Sequence, residues 1–296
     1  MQNSIDQIHF PVMSGEVLSF LKINPKGIYC DGTIGVGGHA EKIIQNLSNE
    51  GQLIGIDRDE NAISLCKERF KSSKNANISL FNDSYVNAKR LFQGIGIKQV
   101  NGFIFDLGMS SLQLDSPTRG FSFSSKSSLD MRFDVSQSIT ANNIVNEFTL
   151  SDLANIIYNF GEERHSRKIA KSIFNSRPIE TVERLAYAIN KVTHPKHRNK
   201  TLSRVFQAIR IEVNNELSHL EQMLDIFIDL LKTGGRIVVI SFHSLEDRLV
   251  KKKFKNLSNS GQLNILSKKP VRASDSELKL NNRSRSAKLR AGEKII

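Results

Sequence analysis

The chain of 296 residues has no tryptophan, two cysteines and six prolines. Cys30 and Cys66, both in apolar surroundings, are too few for a disulfide framework and lack the spacing of a metal-ligand set. They fit small buried thiols in a reducing compartment, and no metal site is expected. No apolar run approaches the roughly 18 residues that a membrane-spanning helix needs, so no membrane partner is expected. The first residues lack the positive, apolar, small-residue succession of a secretory signal, which points to the cytoplasm. No internal repeat is present. Hydrophobic residues make up 39% of the chain, enough to build a core, which argues against wholesale disorder. The length suits one large α/β domain or a core carrying an inserted one. Oligomeric state is not encoded in any readable pattern.

Acidic residues are the scarcer charge, 30 against 42 Lys and Arg, for a net charge of +12. The excess is clustered. Residues 160–210 hold 12 Lys/Arg against 4 Asp/Glu, and residues 246–296 hold 14 against 5, which leaves the remainder at −5. A slightly acidic body with two basic regions points to a polyanionic partner, nucleic acid foremost. Ordinary solvated surface is the plain alternative.

The most informative stretch is Tyr29-Cys30-Asp31-Gly32-Thr33-Ile34-Gly35-Val36-Gly37-Gly38-His39. A short apolar strand reaches an acid, then four glycines, then a helical pattern. Strand, glycine turn and helix make a nucleotide-type crevice in an open α/β sheet, because glycine lets a ligand approach the backbone. Further strands are expected at 52–57, 78–81, 102–106 and 236–241, with helices between them at 40–47, 61–70 and 86–92. Asp59 is placed to cap the second of these helices. Alternation of strands and helices implies a parallel sheet. The rhythm breaks at 107–139, which is irregular. From 140 to 200 the pattern is helical, with capping at Thr149 and a basic loop at 194–200. A long helix over 202–231 then returns to the sheet. Leu263 to Ser267 reads as a last short strand, and the chain from Lys268 as an irregular basic tail. The domain reading is therefore a core at 1–139, an inserted helical domain at 140–200, and the second part of the core with its tail at 201–296.

Three strands end in acids, Asp31, Asp57 and Asp106. Ligands in open α/β sheets sit beyond the carboxyl ends of the strands, near the topological switch point. Asp57 is placed to accept from a ribose diol, and Asp106 to approach the base or the reacting end. Gly35-Val36-Gly37-Gly38-His39-Ala40 also fits G-x-G-x-x-A, which leaves a dinucleotide-dependent, NAD-type oxidoreductase open. Against it, an acid and three residues separate the strand from the first glycine of that pattern, and no second domain for hydride transfer is evident.

Longer motifs then narrow the choice. Asp31-Gly32-Thr33-x-Gly35-x-Gly37-Gly38-His39, Gly55-Ile56-Asp57-Arg58-Asp59 and Asp106-Leu107-Gly108-Met109-Ser110-Ser111-Leu112-Gln113-Leu114-Asp115 resemble the bacterial 16S rRNA cytosine-N4 methyltransferase family. So do Arg119-Gly120-Phe121-Ser122-Phe123, Leu129-Asp130-Met131-Arg132, Ser241-Phe242-His243-Ser244-Leu245-Glu246-Asp247-Arg248 and Arg283-Ser284-Arg285-Ser286-Ala287-Lys288-Leu289-Arg290. The resemblance runs in order from about His9 to the C-terminus. It implies an α/β, Rossmann-like class I methyltransferase sheet with an inserted all-helical domain, S-adenosyl-L-methionine as cofactor, and N4-methylation of a cytidine, position 1402, in the 16S rRNA of the small ribosomal subunit. It also implies cofactor contacts at Gly37, Gly38, His39, Asp57, Tyr85, Asp106 and Gln113. Tyr85 stands where Phe is usual and keeps an aromatic face. Leu112 stands where Pro usually precedes the glutamine.

The cytosine amine is a poor nucleophile because its lone pair is delocalised, so acceptors for its N–H groups favour attack. The Asn/Asp-Pro-Pro-aromatic turn that many amino-methyltransferases use is missing. Asp106 with Ser110 or Ser111 is expected to orient the amine instead. His243 is read as a proton acceptor or base contact, or as a structural hydrogen bond to Asp247 or the backbone. Phe121, Phe123 and Phe133 are read as stacking on an extruded cytosine or as packing. Arg119, Arg132, Arg164, Arg167, Lys168, Lys171 and the 194–200 loop are read as phosphate contacts. A non-catalytic ribosome-binding protein is the remaining alternative.

Overall fold

A computed structural model describes residues 11–73 and 76–296. The start of the resemblance, at about His9, lies outside these residues. In chain order the elements are α1 (Ser14–Leu21), β1 (Ile28–Asp31), α2 (Gly38–Ile44), β2 (Gln52–Asp57), α3 (Glu60–Phe70), β3 (Asn77–Asn82), α4 (Ala88–Gly94) and β4 (Val100–Asp106). There follow α5 (Ser111–Asp115), α6 (Ala141–Glu147), α7 (Leu150–Gly161), α8 (Ser166–Asn175), α9 (Val182–Asn190), α10 (Arg198–Asn214) and α11 (Glu216–Leu230). The last elements are β5 (Leu231–Ser241), α12 (Ser244–Asn259), β6 (Leu263–Ile265), α13 (Asp275–Leu280) and β7 (Lys288–Lys294). They fall into two compact units, residues 1–108 with 218–296, and Met109–Leu217.

The first unit is built on a seven-stranded sheet in the order β3-β2-β1-β4-β5-β7-β6. The pairs β2/β3, β1/β2, β1/β4 and β4/β5 are parallel, and β7 runs antiparallel to both β5 and β6. This is the expected Rossmann-like sheet, with its switch point at β1, flanked by β2 on one side and β4 on the other. The strands read as near-continuous apolar runs because both faces are covered. Cys30, Phe103, Phe105, Ile237 and Val239 face α4, α11 and α12. Tyr29, Ile104, Val238 and Ile240 face α1, α2 and α3. Local signals set the helix starts: Asp59 Oδ1 accepts the Asn61 N–H at 3.1 Å, as expected for the cap of α3.

The chain from Lys268 is not an irregular tail. It forms α13 and then β7, which is inserted between β5 and β6. Leu289 and Ala291 are fully buried, and they alternate with charged residues that are held internally. Arg290 Nε donates to Asp247 Oδ1 at 2.7 Å, Arg236 Nε to Glu293 Oε2 at 2.7 Å, and Lys294 Nζ to the carbonyls of Ile228 and Leu231. The charges hid a period-two pattern that the sheet completes.

The second unit is helical. Thr149 Oγ1 accepts the Asp152 N–H at the start of α7, the expected cap. The core gathers Leu153, Ile157, Ile169, Ile173, Leu185, Ile189, Val205 and Ile209 from α7, α8, α9 and α10. It also takes in Phe121, Leu129 and Met131 from the irregular stretch after β4. For that reason the unit starts at Met109 and runs to Leu217, whereas the sequence pattern had set the insert at 140–200. The long helix expected over 202–231 is two helices. Asn215 takes a left-handed conformation (φ 52°) and ends α10. Beside it the fully buried Asn214 ties the irregular loop down, accepting the Phe133 N–H and donating to Met131 O, both at 2.7 Å.

Candidate active site

The turn after β1 is built at the switch point by hydrogen bonds to both neighbouring strands. Gly32 N–H donates to Ile104 O of β4 and Ile34 N–H to Ile56 O of β2, each at 3.0 Å. The chain is therefore splayed across the gap where β1's two neighbours part. Gly37 has φ +83°, and a Cβ there would sit 2.6 Å from the Phe70 ring, so neither its conformation nor its space admits a side chain. A Cβ on Gly32 would lie 2.2 Å from Phe105. The backbone here is bare because α3 and β4 pack directly against it.

The three strand-end acids converge on this turn. Asp57 Oδ2 accepts the Gly35 N–H at 2.8 Å and Oδ1 accepts the Asp59 N–H at 2.9 Å. The expected ribose acid thus also fixes the glycine turn. Burial pushes the Asp57 carboxyl up to about 6, against these backbone donors. Asp31 is 1% exposed and accepts the Thr33 N–H at 3.2 Å; burial pushes it up to about 7. Thr33 Oγ1 in turn accepts the Asp106 N–H at 2.7 Å. Cys66 contributes a neutral thiol, raised to about 12 by burial, that donates to Gly35 O at 3.3 Å. Sequence reasoning had left the roles of Thr33 and Cys66 unassigned, and Asp31 without a site role. The Asp31-Gly32-Thr33 pattern carried the signal for two of them.

His39, in the first turn of α2, is 7% exposed, and its Nε2 lies 3.5 Å from Asp106 Oδ2. Burial pulls this imidazole toward neutrality, but Asp106, then Asp31 and Glu277, outweigh it and hold its pKa above the ordinary value. Asp106 Oδ1 is buried and meets no hydrogen-bond donor among the described residues. Tyr85 lies in the single turn Tyr85–Asn87 after β3, its ring edge-on to Phe105 with centroids 5.5 Å apart. The structure thus brings Gly37, Gly38, His39, Asp57, Tyr85 and Asp106 to the carboxyl ends of β1 to β4.

His243 caps α12. Its Nδ1 accepts the Glu246 N–H at 3.4 Å, and its Nε2 is 3.2 Å from Glu246 Oε1. The Nδ1 of this imidazole is thus engaged by the backbone, and its Nε2 faces the Glu246 carboxylate. The backbone bond, one of the two structural alternatives, is the one formed. Asp247 pairs with Arg290 instead.

In the second unit, Ser110 and Gln113 form a capping box at α5. Ser110 Oγ accepts the Gln113 N–H at 3.3 Å, and Gln113 Oε1 accepts the Ser110 N–H at 3.0 Å. Ser111 is the first residue of that helix, and its side chain lies outside the described part of the structure. Phe121 is buried and stacks on Phe133 at 5.7 Å, and Phe123 meets Phe206 edge-on at 6.0 Å. Arg119 donates to the carbonyls of Arg132 and Phe133. Arg132 donates to Asp130, Val135 O and Gln137 O, so both arginines brace the loop. Arg164, Arg167, Lys168, Lys171, Lys196, Arg198 and Lys200 are exposed.

No helix among the described residues is long and apolar enough to cross a membrane. The model of the MraW methylase family matches residues 6–295 of the chain. The ribosomal RNA small subunit methyltransferase H of Caldicellulosiruptor saccharolyticus is 46% identical over 306 residues, covering 97% of this chain and 99% of its own. Proteins of the same name from Kosmotoga olearia and Fusobacterium nucleatum are 43% and 41% identical, each covering 100% of both chains.

Proposed function

The chain belongs to the MraW methylase family, and from that premise we propose that it methylates N4 of a cytidine in the 16S rRNA of the small ribosomal subunit. S-adenosyl-L-methionine is the methyl donor. The residues at the turn fit it: bare backbone at Gly37 and Gly38, an acid at Asp57 with acceptor capacity for a ribose diol, an aromatic face at Tyr85, and a buried acceptor at Asp106 without a donor among the described residues. When bound, it supplies an electrophilic methyl group on a sulfonium.

The observation that carries the reading is Asp106 Oδ1. A buried carboxylate oxygen without a donor is costly in a finished protein and is expected where a ligand completes the bond. Asp106 accepts an N–H and thereby shifts lone-pair density back onto the nitrogen that attacks. Alignment and exclusion of water supply the remainder of the rate. The assignments of Ser110, Ser111 and Gln113 follow the family's pattern, and single Ala substitutions test them. The exposed cations of 164–171 and the 194–200 loop hold RNA phosphates, which gives affinity and salt dependence rather than sequence choice.

A mass-spectrometric map of 16S rRNA from cells with and without the gene tests the proposal. One N4-methylcytidine is expected to disappear with the gene and to return on adding the purified protein and the donor. An unchanged map sinks the proposal. Binding of NAD without binding of S-adenosylhomocysteine would favour the oxidoreductase alternative.

A further inference from the structure

Three carboxylates converge at the ends of β1, β2 and β4, and one imidazole is buried beside them. The Asp106 backbone is fixed, its N–H donating to Thr33 Oγ1 at 2.7 Å, and its Oδ2 faces the buried His39 Nε2 across 3.5 Å, an ion-pair contact rather than a formed hydrogen bond. Its second carboxylate oxygen meets no donor among the described residues. We infer that His39 is the positioning residue of Asp106, holding Oδ2 so that Oδ1 is presented to the N–H of an amino group. That amino group is the α-ammonium of the methyl donor or the exocyclic amine of the cytosine. The inference rests on the function proposed above.

The physical basis is charge as well as geometry. The imidazole is faced by Asp106 from β4, Asp31 from β1 and Glu277 from α13, with Asp57 from β2 adding negative charge around Asp31. Glu277 is itself fixed, since its Oε1 accepts the Met13 N–H at 2.7 Å. A proton held on His39 balances this group of acids and, at Asp31, opposes the upward push of burial. Without it, Asp106 loses the charge that faces Oδ2, and the acids repel one another.

The test uses the full-length protein with His39→Leu, which removes donor and charge, and His39→Gln, which restores a donor without charge. Binding of S-adenosylhomocysteine is measured by calorimetry between about pH 5.5 and 8.5, and methylation of small-subunit rRNA is measured over the same range. His39→Leu is expected to lower either kcat or S-adenosylhomocysteine affinity about tenfold or more. The acid limb of the affected quantity should move up by roughly half a pH unit or more. His39→Gln should recover part of the loss and keep the displaced limb. A loss of S-adenosylhomocysteine affinity identifies the ammonium as Asp106's partner. A loss of kcat at unchanged affinity identifies the cytosine amine.

A folded His39→Leu protein with both quantities within about twofold of wild type overturns the inference. So does a loss with no movement of the acid limb, the result a packing role would give. Should His39→Leu not fold, the limb position in His39→Gln decides alone. Wild-type protein that binds no S-adenosylhomocysteine at any pH would remove the functional reading itself, a separate outcome.

Discussion

The two units use charge in opposite ways. Around the turn of the first unit, Asp31 and His39 are withdrawn from water and Asp57 is half-buried, and burial has displaced the pKa of both carboxyls upward. In the second unit Arg164, Arg167, Lys168 and Lys171 stand in solvent on and just before α8, whose inner face is Ile169, Ala170 and Ile173. Buried charge acts over a few ångströms, where a misplaced proton changes what can bind. Exposed charge acts as a field, screened beyond roughly 8–10 Å at physiological salt. A small ligand with few donors suits the first arrangement, and a long polyanion suits the second.

Removal of Asp106 should break the first arrangement most completely. Asp106→Ala is expected to lower rRNA methylation by about 10²-fold or more at unchanged far-UV circular dichroism. Full methylation by a folded variant would refute its role. Gly37→Ala places a methyl group where Phe70 stands and forces a left-handed backbone on alanine. It should cost about 2–3 kcal/mol of stability and most S-adenosylhomocysteine binding; a denaturation midpoint equal to wild type would contradict this.

For the second arrangement, a triple change of Arg167, Lys168 and Lys171 to Glu should weaken rRNA binding roughly tenfold or more. It should also flatten the plot of log affinity against log salt by about one unit per lost phosphate contact. An unchanged slope would mean that this face does not meet phosphate. The smallest effect is a sharpening of the comparison. Because burial lifts Asp31 to about 7, the native protein holds a proton that the unfolded chain, with its carboxyl near 3.8, has already released. Native stability therefore falls as pH rises between these values, and the deficit is complete above about pH 7. Asp31→Asn removes it. The melting temperature of the variant relative to wild type should rise by about 3 °C or more between pH 4 and pH 8. A difference independent of pH would show that Asp31 is not held protonated by burial.

Much of the first unit was legible in the sequence because its strands are apolar runs that end in acids, and those ends are where a sheet of this kind binds ligands. The terminal strand was not, since Arg290 and Lys294 look like tail residues until Asp247 and the carbonyls of Ile228 and Leu231 are seen to hold them. The break at Asn215 was equally hidden. Its left-handed conformation has no glycine to announce it, and the apolar spacing continues across it. Within the site, residue types were legible but partnerships were not. Asp57 gripping Gly35 and His39 facing Asp106 are contacts between distant parts of the chain. The capping box of Ser110 and Gln113 was local and readable, being Ser-x-x-Gln.

The position of β7 has a consequence for biosynthesis. It pairs with β5 on one side and β6 on the other, and the ribosome makes it after both. Until then β5 has an open edge and β6 has no strand beside it. A nascent chain can thus assemble its glycine turn and its acids well before its sheet is closed. The stretch that reads as a disposable basic tail covers the edge of β5, and a chain that stalls short of it leaves β5 exposed as an aggregation-prone edge.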